Sequence, residues 1–110
     1  MAEALKVLGQ SAPAATVLTT LYTVPGATSA VGSSIMVCNQ NTTAAIKFRV
    51  SVAVAGAADT PKQYVYYDIE IPPRNTFAGT LGLSLATTDV VRVQSDTANV
   101  SFNLFGTEVT

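Results

Sequence analysis

The chain has no histidine, one cysteine and few charges: of its 110 residues, 12% are charged, against about 25% in an ordinary soluble domain. Without histidine, the commonest general base and the commonest metal ligand are missing. Cys38 has no imidazole to take its proton, and a zinc site needs more cysteine or histidine than the sequence holds. It reads instead as a small apolar filler in a strand. A lone cysteine cannot close an intrachain disulfide, which fits folding in a reducing compartment. No apolar run approaches the roughly 18 residues that cross a membrane as a helix. Ser11-Ala-Pro-Ala-Ala15 has the small residues of a cleavage site, but the segment before it reads as a strand, so no signal peptide is expected. Without a secretion signal, the sequons at Asn41-Thr-Thr43 and Asn99-Val-Ser101 carry no weight. The six basic residues are scattered from Lys6 to Arg92, and phosphate-backbone binding needs them clustered. Neither nucleic acid nor membrane is therefore expected as a partner.

Hydrophobic residues make up 48% of the chain, enough to exclude disorder, and the length suits one domain over residues 1–110. The missing charge is replaced by Thr, Ser, Ala and Val. These residues suit strands, and they also suit surfaces buried against other subunits, where charge is depleted. A net charge of −1 does little to oppose association. The composition points to a surface that is largely covered in the working state. The alternative is a neutral, threonine-rich monomer surface.

Short strand-like runs with turns between them make up the rest. Leu5 to Leu8 is the first, followed by Gly9 and Pro13. Thr16 to Val24 ends at the Pro25-Gly26 turn, read as type II-like. Val31 to Cys38 places Ile35 and Val37 on one face. Ile46 to Val54 is the cleanest: Ile46, Phe48, Val50, Val52 and Val54 face one way and Lys47, Arg49, Ser51 and Ala53 the other. Ala55 to Lys62 is a loop. In Tyr64 to Ile71 the same period points Val65, Tyr67, Ile69 and Ile71 inward, and Pro72-Pro73 stops the strand. Asn75 to Leu85 reads as one or two weak strands broken by Gly79 and Gly82. Val90 to Gln94 follows, with Val91 and Val93 inward. Val100, Phe102 and Leu104 then alternate with Ser101 and Asn103, which predicts a last strand locked into the core. No segment has helical periodicity and no fixed repeat is visible. The fold expected is all-β: a single-domain antiparallel β-sandwich of jelly-roll type with about eight strands. Ala2 to Ala15 is expected to be either an arm that adds a strand to a neighbour or an edge strand.

No catalytic or metal-binding constellation is present, and no cofactor is expected. Asp68 and Glu70, two apart, share a strand face and could do acid–base work or hold a hard cation. No Asx-rich loop completes a shell, so they read as a solvated or interfacial face. Lys47 and Arg49 form the matching basic pair, and cross-strand pairing of the two sets is expected. Tyr64 and Tyr66 stand beside them as aromatic anchors for a partner or a sugar. The candidate interface is thus Tyr64, Tyr66, Lys47, Arg49, Asp68 and Glu70.

Leu21-Tyr-Thr-Val-Pro-Gly-Ala-Thr28, Ile35-Met-Val-Cys-Asn39, Phe48-Arg-Val50, Thr88-Asp-Val-Val-Arg-Val93 and Val100-Ser-Phe-Asn-Leu-Phe-Gly-Thr-Glu108 together resemble small structural proteins of tailed bacteriophages: head decoration (cement), neck or tail components. The resemblance spans nearly the whole chain and rests on scaffold features, so it implies no catalytic residues. It implies a β-sandwich virion protein, assembled in the cytoplasm of a bacterial host. The expected role is a capsid decoration protein that bridges capsid subunits by apolar burial and edge-strand pairing. A homotrimer would match the local three-fold positions of the shell. The alternatives are a tail, neck or baseplate component with a host-glycan or protein-binding face, a free carbohydrate-binding module, and a small carbohydrate-active enzyme using Asp68 or Glu70.

Overall fold

The computed structural model describes residues 2–110. Eight strands follow one another: β1 (Glu3–Ser11), β2 (Thr19–Thr23), β3 (Ser29–Asn39), β4 (Ile46–Ala53), β5 (Tyr64–Ile71), β6 (Thr76–Leu85), β7 (Val90–Ser95) and β8 (Val100–Val109). Only β4 and β5 are both consecutive and paired. From that hairpin the pairing runs outward, β3 with β6, β2 with β7 and β1 with β8, every pair antiparallel. The long double ribbon then rolls up, laying β8 beside β3 and β7 beside β4. Two four-stranded sheets result, sheet A in the order β1-β8-β3-β6 and sheet B in the order β2-β7-β4-β5. This is a jelly-roll β-sandwich: the strand spacing predicts the sandwich, and the connectivity, which periodicity does not report, makes it the jelly roll expected.

The core is made by the inward sides of both sheets. Ile35, Val37, Val100, Phe102 and Leu104 come from sheet A, and Ile46, Phe48, Val50, Val91 and Val93 from sheet B, all almost wholly buried. Phe48 ties the layers together. Its ring lies 6.1 Å from Phe102 at a 71° angle and 5.2 Å from Phe77. Such tilted pairs add about 0.5–1.5 kcal/mol each beyond area burial. The alternation read for β4 holds from Ile46 to Val50; beyond it Ser51 and Ala53, read as the outer side, are fully buried, and Val52 is half-buried. Val54 leaves it: the chain turns there into a 3-10 turn, Val54–Gly56, and the side chain is exposed.

Two other readings are corrected, and one left open is narrowed. The β6 segment is one continuous strand through both glycines. Its β3 partner advances from Gly32 to Ser34 while β6 advances from Leu83 to Thr80, so a bulge around Leu81-Gly82 absorbs an extra residue. Gly79 fits because there is no room for more: a Cβ would lie 2.6 Å from the Tyr66 hydroxyl and 3.3 Å from Ile35 Cγ2. In the turn after β2, the positive φ falls on Ala27, at 53°, not on Gly26. Of the two forms expected for the first segment, Glu3–Ser11 is an edge strand of sheet A, bound to β8 from Glu3↔Val109 to Ser11↔Phe102.

Two polar clusters fix the ends of the roll. The buried carboxamide of Asn39 donates to the carbonyls of Ala44, Ile71 and Pro72 at 2.9–3.1 Å. Its Oδ1 accepts from the Asn41 backbone N–H and side chain, both at 3.0 Å. At the open side, the Tyr22 hydroxyl of sheet B donates to Glu108 Oε2 of sheet A at 2.6 Å, and Lys6 Nζ donates to Oε1 at 3.0 Å. The Tyr22 and Lys6 hydrogen bonds hold the Glu108 carboxyl below its ordinary range. Burial, then the bond to Glu108, pushes the Tyr22 phenol up.

Replacing Asn39 by Ala takes the side-chain donor from the buried Ile71 carbonyl and from the part-buried carbonyls of Ala44 and Pro72. Urea unfolding should show a loss of about 2–4 kcal/mol; an unchanged midpoint would mean that the loops re-pair without it. For Glu108, a depressed carboxyl contributes stability above its unfolded-state pKa and loses it as pH falls through the folded-state value. Tyr22, raised, contributes below its unfolded-state value and loses it as pH rises through the folded one. Thermal melts across pH should therefore show Glu108→Gln less stable near neutrality and flatter on the acid side than the parent chain.

Candidate interaction surfaces

The outer faces of the two sheets differ in chemistry. On sheet A, the register sets Leu5 beside Thr107 and Val31, Val7 beside Phe105 and Ser34, and Gln10 beside Asn103, Met36 and Ala78. These residues alternate with core positions, so they point away from the core. Leu5 is 88% exposed, and Val7, Val31 and Met36 are each exposed by more than two fifths. The rest of the face is Ser, Thr, Asn and Gln, with half-buried Cys38 between Ser101 and Thr76. Of the chain's thirteen Lys, Arg, Asp and Glu residues, only Glu3 belongs to it, at the start of β1, opposite Val109. Lys6 and Glu108 lie on the opposite side of their strands and pair with each other. Four strands about 4.8 Å apart and about 30 Å long make a footprint of roughly 600 Å², comparable with the ~800 Å² each partner gives to a standard interface.

The outer face of sheet B carries charge and aromatic rings. Lys47 and Arg49 lie on the outer side of β4, as expected. Strand β5 departs from strict alternation. Between Phe48↔Ile69 and Val50↔Tyr66, two steps on β4 meet three on β5; between Val50↔Tyr66 and Ser51↔Tyr64, one step meets two. Each extra residue is a bulge that reverses the side-chain direction, and Asp68 takes a left-handed φ of 54° there. Ile69 and Ile71 face inward, as the period predicts. Tyr66 does not stand on the outer face: its ring packs on Phe77 at 5.2 Å and Phe48 at 6.0 Å. Tyr67, read as core, is 57% exposed, and Val65 is exposed as well.

The bulges bring Tyr64 and Tyr67 to the same side as Arg49. Arg49 Nε donates to Asp68 Oδ1 at 2.7 Å and its Nη2 to Oδ2 at 3.3 Å. Its guanidinium carbon sits 4.1 Å from the Tyr67 ring centroid. Tyr67 and Tyr64 meet at 5.3 Å, nearly perpendicular, and the Tyr64 hydroxyl donates to Asp59 Oδ2 at 2.9 Å. The Arg49 hydrogen bond holds the Asp68 carboxyl below its usual range. Burial, then the bond to Asp59, raises the Tyr64 phenol. Arg49, Asp59, Thr60, Pro61, Tyr64 and Tyr67 line an open depression of about 510 Å³. Of the expected basic–acidic pairs, Arg49 and Asp68 form an ion pair. Lys47 and Glu70 are register partners, but no ion pair joins them among the described residues. No three Cys, Asp or Glu residues gather as a metal site among the described residues. Asp59, Thr60 and Pro61 were legible only as a loop. Three tyrosines within four residues marked the region, but nothing local in the sequence says which of them turns out.

No protein-family model matches the chain, and no curated protein sequence matches it. Solved structures do. The T13 viral particle of infectious bursal disease virus superposes with a TM-score of 0.58 at 10% identity, over 96% of this chain and 30% of that one. The Gx strain of the same virus gives 0.54 at 11%, over 97% and 32%. The chain thus spans just under a third of the length of the chains it matches. A pentameric capsid protein isolated from metagenomic phage sequences overlaps at 0.40 and 17% identity, over 96% of this chain and 62% of that one, too loosely to establish a common fold. These neighbours are viral capsid or particle structures; they are not specifically tailed-phage decoration proteins.

The Arg49–Asp68 pair is exposed, and exposed pairs contribute little. Arg49→Ala should lower the melting temperature by no more than about 5 °C. A larger drop in a calorimetric scan would make the pair a structural requirement of the bulged strand.

Proposed function

We propose that this chain is a non-enzymatic structural protein of a virion, most specifically a capsid decoration protein that seats the outer face of sheet A on the shell and bridges neighbouring capsid subunits. The observation that carries this reading is that face: free of charge but for Glu3, and studded with Leu5, Val7, Val31 and Met36 in the open. Desolvating such a face costs little, because almost no ion loses its water, and its footprint is that of a standard interface. The shared jelly-roll fold with viral particle structures agrees with it. Many weakly held copies on one shell bind collectively where one copy would not. In this reading the protein is a trimer on local three-fold positions, assembled with the particle in the host cytoplasm.

A second reading, a tail, neck or baseplate component, draws on the aromatic depression of sheet B, which would then face a host structure. Copy number separates the two. Quantitative mass spectrometry of purified virions should find the protein near one copy per major capsid subunit; a few per hundred would favour the tail or neck, and absence would overturn both. The double variant Leu5→Asp, Met36→Lys should keep the circular dichroism of the parent yet lose particle binding. Binding at parental strength would remove sheet A as the docking face.

A further inference from the structure

We propose that the depression lined by Arg49, Asp59, Thr60, Tyr64 and Tyr67 is a binding site for an uncharged sugar. It lies on the sheet opposite the uncharged face, so it stays open when that face is covered, and it does not depend on where in a particle the protein sits.

The site is built, not incidental. Two bulges in one short strand are needed to put Tyr64 and Tyr67 on the side of Arg49. The left-handed φ of Asp68 costs of order 1 kcal/mol for a residue with a side chain. The same bulge turns Tyr66 onto Phe48 and Phe77 in the core, but Tyr67 gains no such burial and remains mostly exposed. The side chains fix one another: Asp68 holds Arg49, Arg49 and Tyr64 hold Tyr67, and Asp59 holds Tyr64. Such a set is ordered before a ligand arrives, so binding loses little side-chain entropy.

The chemistry selects the ligand. Arg49 covers one face of the Tyr67 ring, and the exposed remainder is what the polarised C–H bonds on one side of a pyranose would pack on. Beside it, the guanidinium uses Nε and Nη2 on Asp68, which leaves Nη1 as a donor. Asp59 Oδ1 makes no hydrogen bond among the described residues. A fixed donor and a fixed acceptor flanking a ring face suit neighbouring hydroxyl groups. Anions are disfavoured, because Arg49 is already neutralised by a two-point bond to Asp68 and Asp59 adds a second negative charge. The volume of about 510 Å³ is within the range of small-ligand sites, and its openness suits one or two exposed sugar units.

Isotope-labelled full-length protein should be titrated to tens of millimolar with the methyl glycosides of glucose, galactose, mannose and N-acetylglucosamine, and with inorganic phosphate as the charged control. At least one glycoside should shift the amide signals of Thr60, Tyr64 and Tyr67 in a saturable way. Tyr67→Ala should weaken it about tenfold, the equivalent of one ring contact, and Tyr67→Phe should restore it. A purely structural role for Tyr67 would not give that pattern, and both variants should keep the amide spectrum of the β8 core. No saturable shift with any glycoside, shifts that survive Tyr67→Ala, or phosphate binding as tightly as the sugars would each overturn the proposal.

Discussion

The position of β8 between β1 and β3 is the constraint on which the rest depends. Its ladder to β1 starts at Glu3↔Val109 and its ladder to β3 at Ser29↔Val109, so sheet A is continuous only because one strand serves both neighbours. Val100, Phe102 and Leu104, the inward side of that strand, are fully buried, and Glu108 at its far end carries the bond to Tyr22 that links the sheets. Contacts between residues so distant in sequence must overcome the loop-closure entropy of nearly the whole chain before they repay it. The strand therefore has to be well packed on the inside, and its inward residues are the large apolar ones.

The two outer faces divide the surface between two physical regimes. On sheet A, association would be driven by apolar area and opposed by little desolvation. On sheet B, the side chains are tied into a chain of hydrogen bonds and ring contacts from Asp59 to Asp68, and contacts there are directional. A low overall charge does not distinguish these cases. The register does, because it decides which residues share a face.

Much of this was legible in the sequence. The strict alternation of β4 from Ile46 to Val50, and of β8 from Val100 to Leu104, reported one buried face each, and turn residues marked most strand ends. The number of strands followed from those two signals. What period-two reasoning misses is a change of phase. In β5, the bulges invert Tyr66 and Tyr67 relative to Ile69, because pairing with β4 at Phe48 and Val50 takes priority over local regularity. In β6, the glycines looked like breaks, yet Gly79 is where the Tyr66 hydroxyl comes closest to the backbone. Both depend on a partner strand, and the partner is invisible to a window sliding along one segment. The candidate site was found in its region and in Arg49, Asp68 and Tyr64; its second ring and its loop wall were not.

The bulges on the margins of the sandwich have one more implication. β1 carries an irregularity between Val7 and Gly9 and turns Lys6 inward, and β5 carries two irregularities and a left-handed residue. An intruding strand needs a straight, evenly spaced row of amides and carbonyls; β5 supplies none, and on β1 the regular row stops at Val7. Growth by adding strand to strand is thereby disfavoured along β5 and shortened along β1. A second copy would then find the broad outer faces and the β2 and β6 margins, not β1 or β5, open to contact.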